Sequence, residues 1–242
     1  MPFRPLAQDR IGFRRGDVSL VAAASGGGKT LFMSNYIAQS PNTTFLYFSP
    51  DTGQAVLGTR LIATTKQKNS TELLVRYDDE SLRDSVLELS KDVQNVAFSF
   101  ESSPSFTDIQ EEIDAYKDVY GWLPDCVVLD NVRDAVPDSG DPVDFNRHTE
   151  IVDWFHKLAR DYNIACVLMA HLKGEFNNND EAPGQKALRG QIGPNARLLL
   201  NVYQFGEGQL GVVVAKNSAG KSDAAGDRPY VLDWDTSTMT IK

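Results

Sequence analysis

The stretch Ala23-Ala24-Ser25-Gly26-Gly27-Gly28-Lys29-Thr30 restricts what this chain can fold into more than anything else in it. It meets the pattern G-x-x-x-x-G-K-[ST] at Gly28, Lys29 and Thr30, with Ala23 where a first glycine is usual. The flanks have the right character: residues 17–22 read as a short buried strand and 31–37 as the helix that follows. Three glycines let the backbone turn successive N–H groups inward around phosphate oxygens. The N-terminus of the helix adds partial positive charge at the same point. Lys29 then reaches the β- and γ-phosphates, and the Thr30 hydroxyl is placed to ligate Mg²⁺. The expectation is a nucleoside triphosphate site built from residues 23–30, taking ATP and Mg²⁺.

Along the chain, strands and helices alternate. Strands are predicted at 18–22, 43–48, 96–100, 125–130 and 165–170, and helices at 29–38, 54–66, 80–89, 106–119 and 145–162. Residues 71–76 are ambiguous. After 198 the style changes to strands at 198–205, 210–215, 230–233 and 239–241, joined by Gly- and Asp-bearing turns. Buried strands separated by helices imply an α/β fold with a largely parallel central sheet flanked by helices. The tail adds partly antiparallel strands at one edge. A single domain over 1–242 is expected.

Charge and hydropathy exclude some classes. A net charge of −9 argues against a broad basic face wrapped by duplex DNA, so any nucleic-acid contact is confined to a few Lys and Arg side chains. No run of about 18 apolar residues is present, and the N-terminus lacks an apolar signal core, so no membrane partner and a cytoplasmic location are expected. Cys126 and Cys166 sit in apolar strands and read as buried thiols.

Two further elements bear on the nucleotide. Cys126-Val127-Val128-Leu129-Asp130 is an apolar strand ending in an acid, the form of a Walker B strand, and Asp130 stands where open α/β sheets place ligands. It is a candidate for holding Mg²⁺ together with Thr30. The second predicted strand runs on into Ser49-Pro50-Asp51, and from the residues alone Asp51 reads as a cap on the helix after it.

The run FLYFSPDTGQAVLGTRLIA at 45–63 resembles the segment after the P-loop in DnaB-like and other RecA-type ATPases. The resemblance implies a RecA-like P-loop NTPase fold, and it covers most of the chain. In that family a Glu polarises the attacking water; here Asp51 stands at the matching position, one methylene shorter. His171, after 165–170, stands where the family carries a γ-phosphate-sensing Gln, and an imidazole also donates to phosphate and brings pH dependence. Residues 187–193, with Arg189, Gly190 and Gln191, are similar to the loop that grips single-stranded DNA in the family's ring pore, and Lys173 is a further candidate DNA contact. The stretch 213–220 is similar to the family strand ending in Lys-x-Arg-x-Gly, whose cations reach a neighbouring subunit's γ-phosphate. Lys216 is retained, but Ser218 replaces the arginine, with Lys221 or Arg228 as possible substitutes.

The resemblance implies an ATPase, with Lys29, Asp51, Asp130, His171 and Lys216 as catalytic candidates. It would be a DnaB-like, phage-type helicase core, assembled as a homo-oligomeric ring, most simply a hexamer, on single-stranded or forked DNA. The helical domain that docks primase in full replicative helicases is not expected. A RecA-core recombination ATPase without unwinding would carry the same motifs. A DNA-processing nuclease is motivated by Asp125, Asp130, Asp134, Asp138 and Asp141, and a regulatory RecA-fold ATPase away from DNA is a further alternative.

Overall fold

The computed structural model describes residues 1–138, 147–173, 176, 182–188, 192 and 195–242. Among the described residues nine strands form one sheet in the order β3-β2-β4-β5-β1-β6-β7-β8-β9. Here β1 is Val18–Ala23, β2 Phe45–Phe48, β3 Val96–Ser99, β4 Cys126–Asp130 and β5 Ala165–His171. The tail strands are β6 Leu198–Gly206, β7 Gln209–Asn217, β8 Tyr230–Asp235 and β9 Thr240–Ile241. The pairs from β3 to β6 are parallel, and those from β6 to β9 are antiparallel. The predicted change of style after residue 198 is therefore a real change of pairing.

The central strands β1, β2 and β4 are buried at every position because helices cover both faces. One face packs on α6 (Phe106–Tyr120) and α7 (Arg147–Tyr162) through Ile109, Ile113, Ile151 and Phe155. Ile151, Phe155 and Leu158 make one face of α7 core, and the Tyr162 hydroxyl accepts a hydrogen bond from Gln110 Nε2 at 2.9 Å. The other face packs on α2 (Lys29–Ala38) and α3 (Gln54–Lys66) through Phe32, Met33, Leu57 and Leu61. A short N-terminal helix, α1 (Arg4–Gln8), buries Leu6 against this side. Cys126 and Cys166 are buried free thiols, and burial raises both pKa values.

The ambiguous stretch resolves into helix α4 (Ser70–Asp78), followed after a single residue by α5 (Glu80–Ser90). Asn69 caps α4 by accepting from the Glu72 N–H at 2.9 Å, and Asp79 caps α5 by accepting from the Ser81 N–H at 2.9 Å. Leu73 and Val86 bury against Ile62 and Ala63 of α3, a small core of its own. Only this packing separates the stretch from a loop, since its apolar positions are too few to define a period.

The tail strands do more than extend the sheet. Asn35 on α2 donates to the Met239 carbonyl at 2.8 Å and accepts from the Ile241 N–H at 2.7 Å. Gln39 donates to the Ile241 carbonyl at 2.8 Å. The last strand thus clamps the helix that carries Lys29, and α2 is buried nearly all round.

Candidate nucleotide-binding site

The P-loop leaves β1 at the C-terminal edge of the parallel strands, the edge where open α/β sheets hold ligands. Gly28 is the N-cap of α2 at φ 98°, in the left-handed region. A Cβ there would stand 2.7 Å from Leu210 Cδ1, so an L-residue meets both a backbone cost of about 1–2 kcal/mol and a clash. Lys29 Nζ lies over the loop, 3.4 Å from the carbonyls of Ala23 and of Ala24 and 3.3 Å from His171 Nδ1. Burial lowers the pKa of Lys29, and the charge of Asp130 opposes that shift. An ammonium only donates, so the His171 nitrogen at this contact accepts, and the other ring nitrogen of a neutral imidazole is a donor.

Asp130 is nine-tenths buried, and its Oδ2 accepts from Thr30 Oγ1 at 3.2 Å and from the Tyr47 hydroxyl at 2.9 Å. Burial raises its pKa, while the Tyr47 hydrogen bond, the Lys29 charge and the Thr30 hydrogen bond act against that. Asp51 is exposed after β2, with Oδ2 4.0 Å from Arg133 Nη2, and its charge is felt at both Lys29 and Asp130. The capping alternative for Asp51 has no geometric support: the N-cap of α3 is Gly53, with no side-chain capping bond. Residues 23–30, Asp51, Asp130 and His171 therefore converge on one edge of the sheet.

Lys216 does not join them. It pairs with Leu199 on β6, which pairs with Leu20 on β1, whereas the P-loop begins at Ala23. The offset is about 10 Å along the strands and about 10 Å across two strand spacings. Since β7 is antiparallel, residues 216–220 leave the sheet at the rim opposite the P-loop. Lys173 is exposed two residues beyond His171, and its N–H donates to the Ala187 carbonyl at 2.8 Å. A bridge between Leu172 and Leu188 ties the exit of β5 to the segment entering Arg189. Arg189, Gly190 and Gln191 themselves lie outside the described residues.

Residues 2–226 match the family model described as DnaB-like helicase C terminal domain. The chain belongs to that family. It is 29% identical over 241 residues to the Gene 65 protein of Mycobacterium phage L5, a match covering 98% of this chain and 89% of the relative. It superposes on a solved ATPase domain with a TM-score of 0.84 at 18% identity, covering 99% of this chain and 89% of that one. It also superposes on a DnaB-like replicative helicase, described with its interactions with primase, with a TM-score of 0.84 at 17% identity. That match covers 99% of this chain but 60% of the helicase, so the chain spans about three-fifths of that protein's length. The fold is RecA-like, and the domain is a DnaB-like helicase C-terminal domain.

Several residues of this DnaB-like domain escaped the motif reading. The cleft at the P-loop mouth, about 310 Å³, is lined by Gly26 to Leu31 together with Arg60, Gln204, Trp234 and Met239. Trp234 Nε1 is a buried N–H with no hydrogen-bond partner among the described residues. Arg60 lay within the resembling run 45–63, but nothing in local spacing ties Trp234 to a loop some two hundred residues earlier. Tyr47, the donor to Asp130, reads in sequence only as an apolar strand residue.

The acids behind the nuclease alternative do not converge. Asp125 precedes β4 at the far end from Asp130, where it accepts from the Thr44 N–H at 2.8 Å and pairs with Arg15; Asp141 lies outside the described residues. Among the described residues no group of three or more His, Cys, Asp or Glu side chains is arranged to hold a metal. Thr30 Oγ1 and Asp130 Oδ2 are instead two hard oxygen donors 3.2 Å apart. This donor set fits Mg²⁺, which takes one or two protein oxygens and completes its shell with water and substrate phosphate.

The buried carboxylate carries a pH-linked cost. The folded pKa of Asp130 is raised, so the folded state holds this proton more tightly than the unfolded chain. Its contribution is most favourable below the unfolded value of about 4, falls as pH climbs to the folded value, and stays unfavourable above it. Nucleotide-free Asp130→Asn is therefore expected to melt higher than the parent at pH 7–8, with the gap closing toward pH 4. A gap that is constant across a pH series of thermal melts would contradict this account.

Proposed function

We propose that this DnaB-like domain is an ATP-driven motor on single-stranded DNA, working as a homo-oligomeric ring in replication in the cytoplasm of a phage-infected bacterium. The observation that carries the reading is the split of its catalytic candidates between opposite rims of one sheet. Lys29, Thr30, Asp51, Asp130 and His171 stand at one rim and Lys216 at the other. A subunit built this way is complete only beside another copy, its Lys216 facing the neighbour's P-loop.

In the assembled site the loop N–H groups and Lys29 hold the β- and γ-phosphates of ATP. Thr30 and Asp130 hold Mg²⁺, which supplies charge neutralisation at the phosphates. Trp234 and Arg60 flank the nucleotide's other end. Asp51 accepts a proton from a water whose oxygen bonds to the γ-phosphorus. The bond from that phosphorus to the bridging oxygen breaks, and ADP and inorganic phosphate leave. His171 senses the γ-phosphate through its donor nitrogen. The Leu172–Leu188 bridge links its strand to the segment with Arg189, Gly190 and Gln191, which together with Lys173 contact DNA phosphates.

The test is ATPase rate with and without single-stranded DNA, beside strand displacement on a forked duplex, across protein concentrations. Stimulation by DNA together with displacement is the expected result. Arg189→Ala should weaken binding to all sequences alike and flatten the salt slope by about one unit. Stimulation without displacement would favour the recombination ATPase, and a rate indifferent to DNA would remove DNA from the mechanism.

A further inference from the structure

The rim that carries Lys216 holds a second cation that the motif reading passed over. The Ser218 N–H donates to the Arg197 carbonyl at 2.8 Å, one rung beyond the Leu198–Asn217 pair of the β6–β7 ladder. Arg197 and Ser218 thus stand just beyond the last rung of the two strands and are held to each other by that hydrogen bond. Lys216 pairs with Leu199, two residues along from Arg197, at the same end of the ladder. We propose that Arg197 supplies, to a neighbouring subunit's γ-phosphate, the guanidinium that position 218 lacks. The proposal rests on the shared-site reading above.

Three observations favour Arg197 over the other cations. Its guanidinium is half-exposed and held by a long contact, with Nε 3.6 Å from Asp17 Oδ1. An exposed pair of that kind contributes little to stability, so the fold alone gives small reason to keep an arginine there. Lys221, by contrast, pairs with Asp9 at the shorter distance of 2.7 Å, and the Arg228 N–H donates to Asp223 Oδ2 at 2.7 Å. Finally, Arg197 is the neighbour whose charge reaches Lys216, adding to burial in lowering that amine's pKa. Arg14, Asp17, Arg197, Asn217 and Ser218 line one cleft at this rim. In a chain of net charge −9, cations gathered here suit an incoming polyanion.

The role is charge stabilisation as the γ-phosphoryl group passes from the bridging oxygen to water, which weights kcat over KM. In the assembled protein Arg197→Ala should lower kcat by about 10³-fold with little change in KM. Affinity for ADP with aluminium fluoride, a mimic of the transferring phosphoryl group, should fall while affinity for ADP alone holds. Adding Ser218→Arg to Arg197→Ala should restore a large part of both, because the two residues are held to each other at one end of the ladder. Unchanged kcat and analogue affinity in Arg197→Ala would overturn the proposal. So would a loss that Ser218→Arg fails to restore in oligomers of unchanged mass. Mixtures separate this failure from that of the shared site. If Lys216→Ala and Lys29→Ala chains recover activity together while Arg197→Ala keeps full turnover, the shared site stands and the Arg197 role falls. If neither Lys216→Ala nor Arg197→Ala chains recover with Lys29→Ala chains, the shared site falls and takes this role with it.

Discussion

ATP turnover by Lys29→Ala is expected to fall by about a thousandfold or more, while the nucleotide-free melting temperature holds or rises. The two halves have separate causes. Turnover falls because the ammonium at the P-loop is the cation nearest the place where β- and γ-phosphate charge must sit. Stability does not fall because the ammonium gains little from the empty fold: its loop contacts are long, at 3.4 Å, and burial lowers its pKa. A lowered lysine pKa means the folded state binds this proton less tightly than the unfolded chain. The charged form therefore costs stability at every pH below the folded value, and the cost is relieved as pH rises through that value. Truncation removes the cost at pH 7. Asp51→Asn provides the contrast, because its exposed carboxylate should matter to hydrolysis and not to nucleotide affinity. Steady-state ATPase, fluorescent-nucleotide binding and thermal melts read all three quantities. Full ATPase in a folded Lys29→Ala protein would take the P-loop out of the mechanism.

Mixing two inactive proteins is expected to regenerate activity. Lys29→Ala chains keep Lys216, and Lys216→Ala chains keep the whole P-loop. If the two rims meet between subunits, some interfaces of a mixed oligomer carry both lysines. In a random one-to-one mixture about a quarter of interfaces qualify, so ATPase should recover to a sizeable fraction of the parent rate and rise with concentration. Native mass measurement on the same samples should show a ring or an open assembly through the same heterologous contact. The geometric argument is direct. Lys216 is offset from its own P-loop by about 10 Å in each of two directions, too far for a rearrangement of one side chain to close. A monomeric protein with concentration-independent activity would sink the shared site.

Much of the candidate nucleotide edge was legible in sequence because each of its motifs is local. Gly28-Lys29-Thr30 needs only a strand before it and a helix after it, and Asp130 needs only an apolar run to end on. Helices α6 and α7 were legible for a similar reason. Repeated apolar spacing marks both within short windows. Helix α4 was not legible, because what fixes it is burial of Leu73 against α3.

The sequence by itself determined most of the elements, the P-loop motif and the parallel-to-antiparallel change, since backbone conformation and glycine-rich turns depend on neighbours a few residues apart. Only the tertiary structure decided which distant residues meet. It brought Trp234 and Met239 to the P-loop mouth, set Tyr47 on Asp130, separated Asp125 from Asp130, and joined Arg197 to Ser218. Each of these follows from strand order and register. Those are set by the burial of whole faces across the sheet, so no short window of sequence contains them.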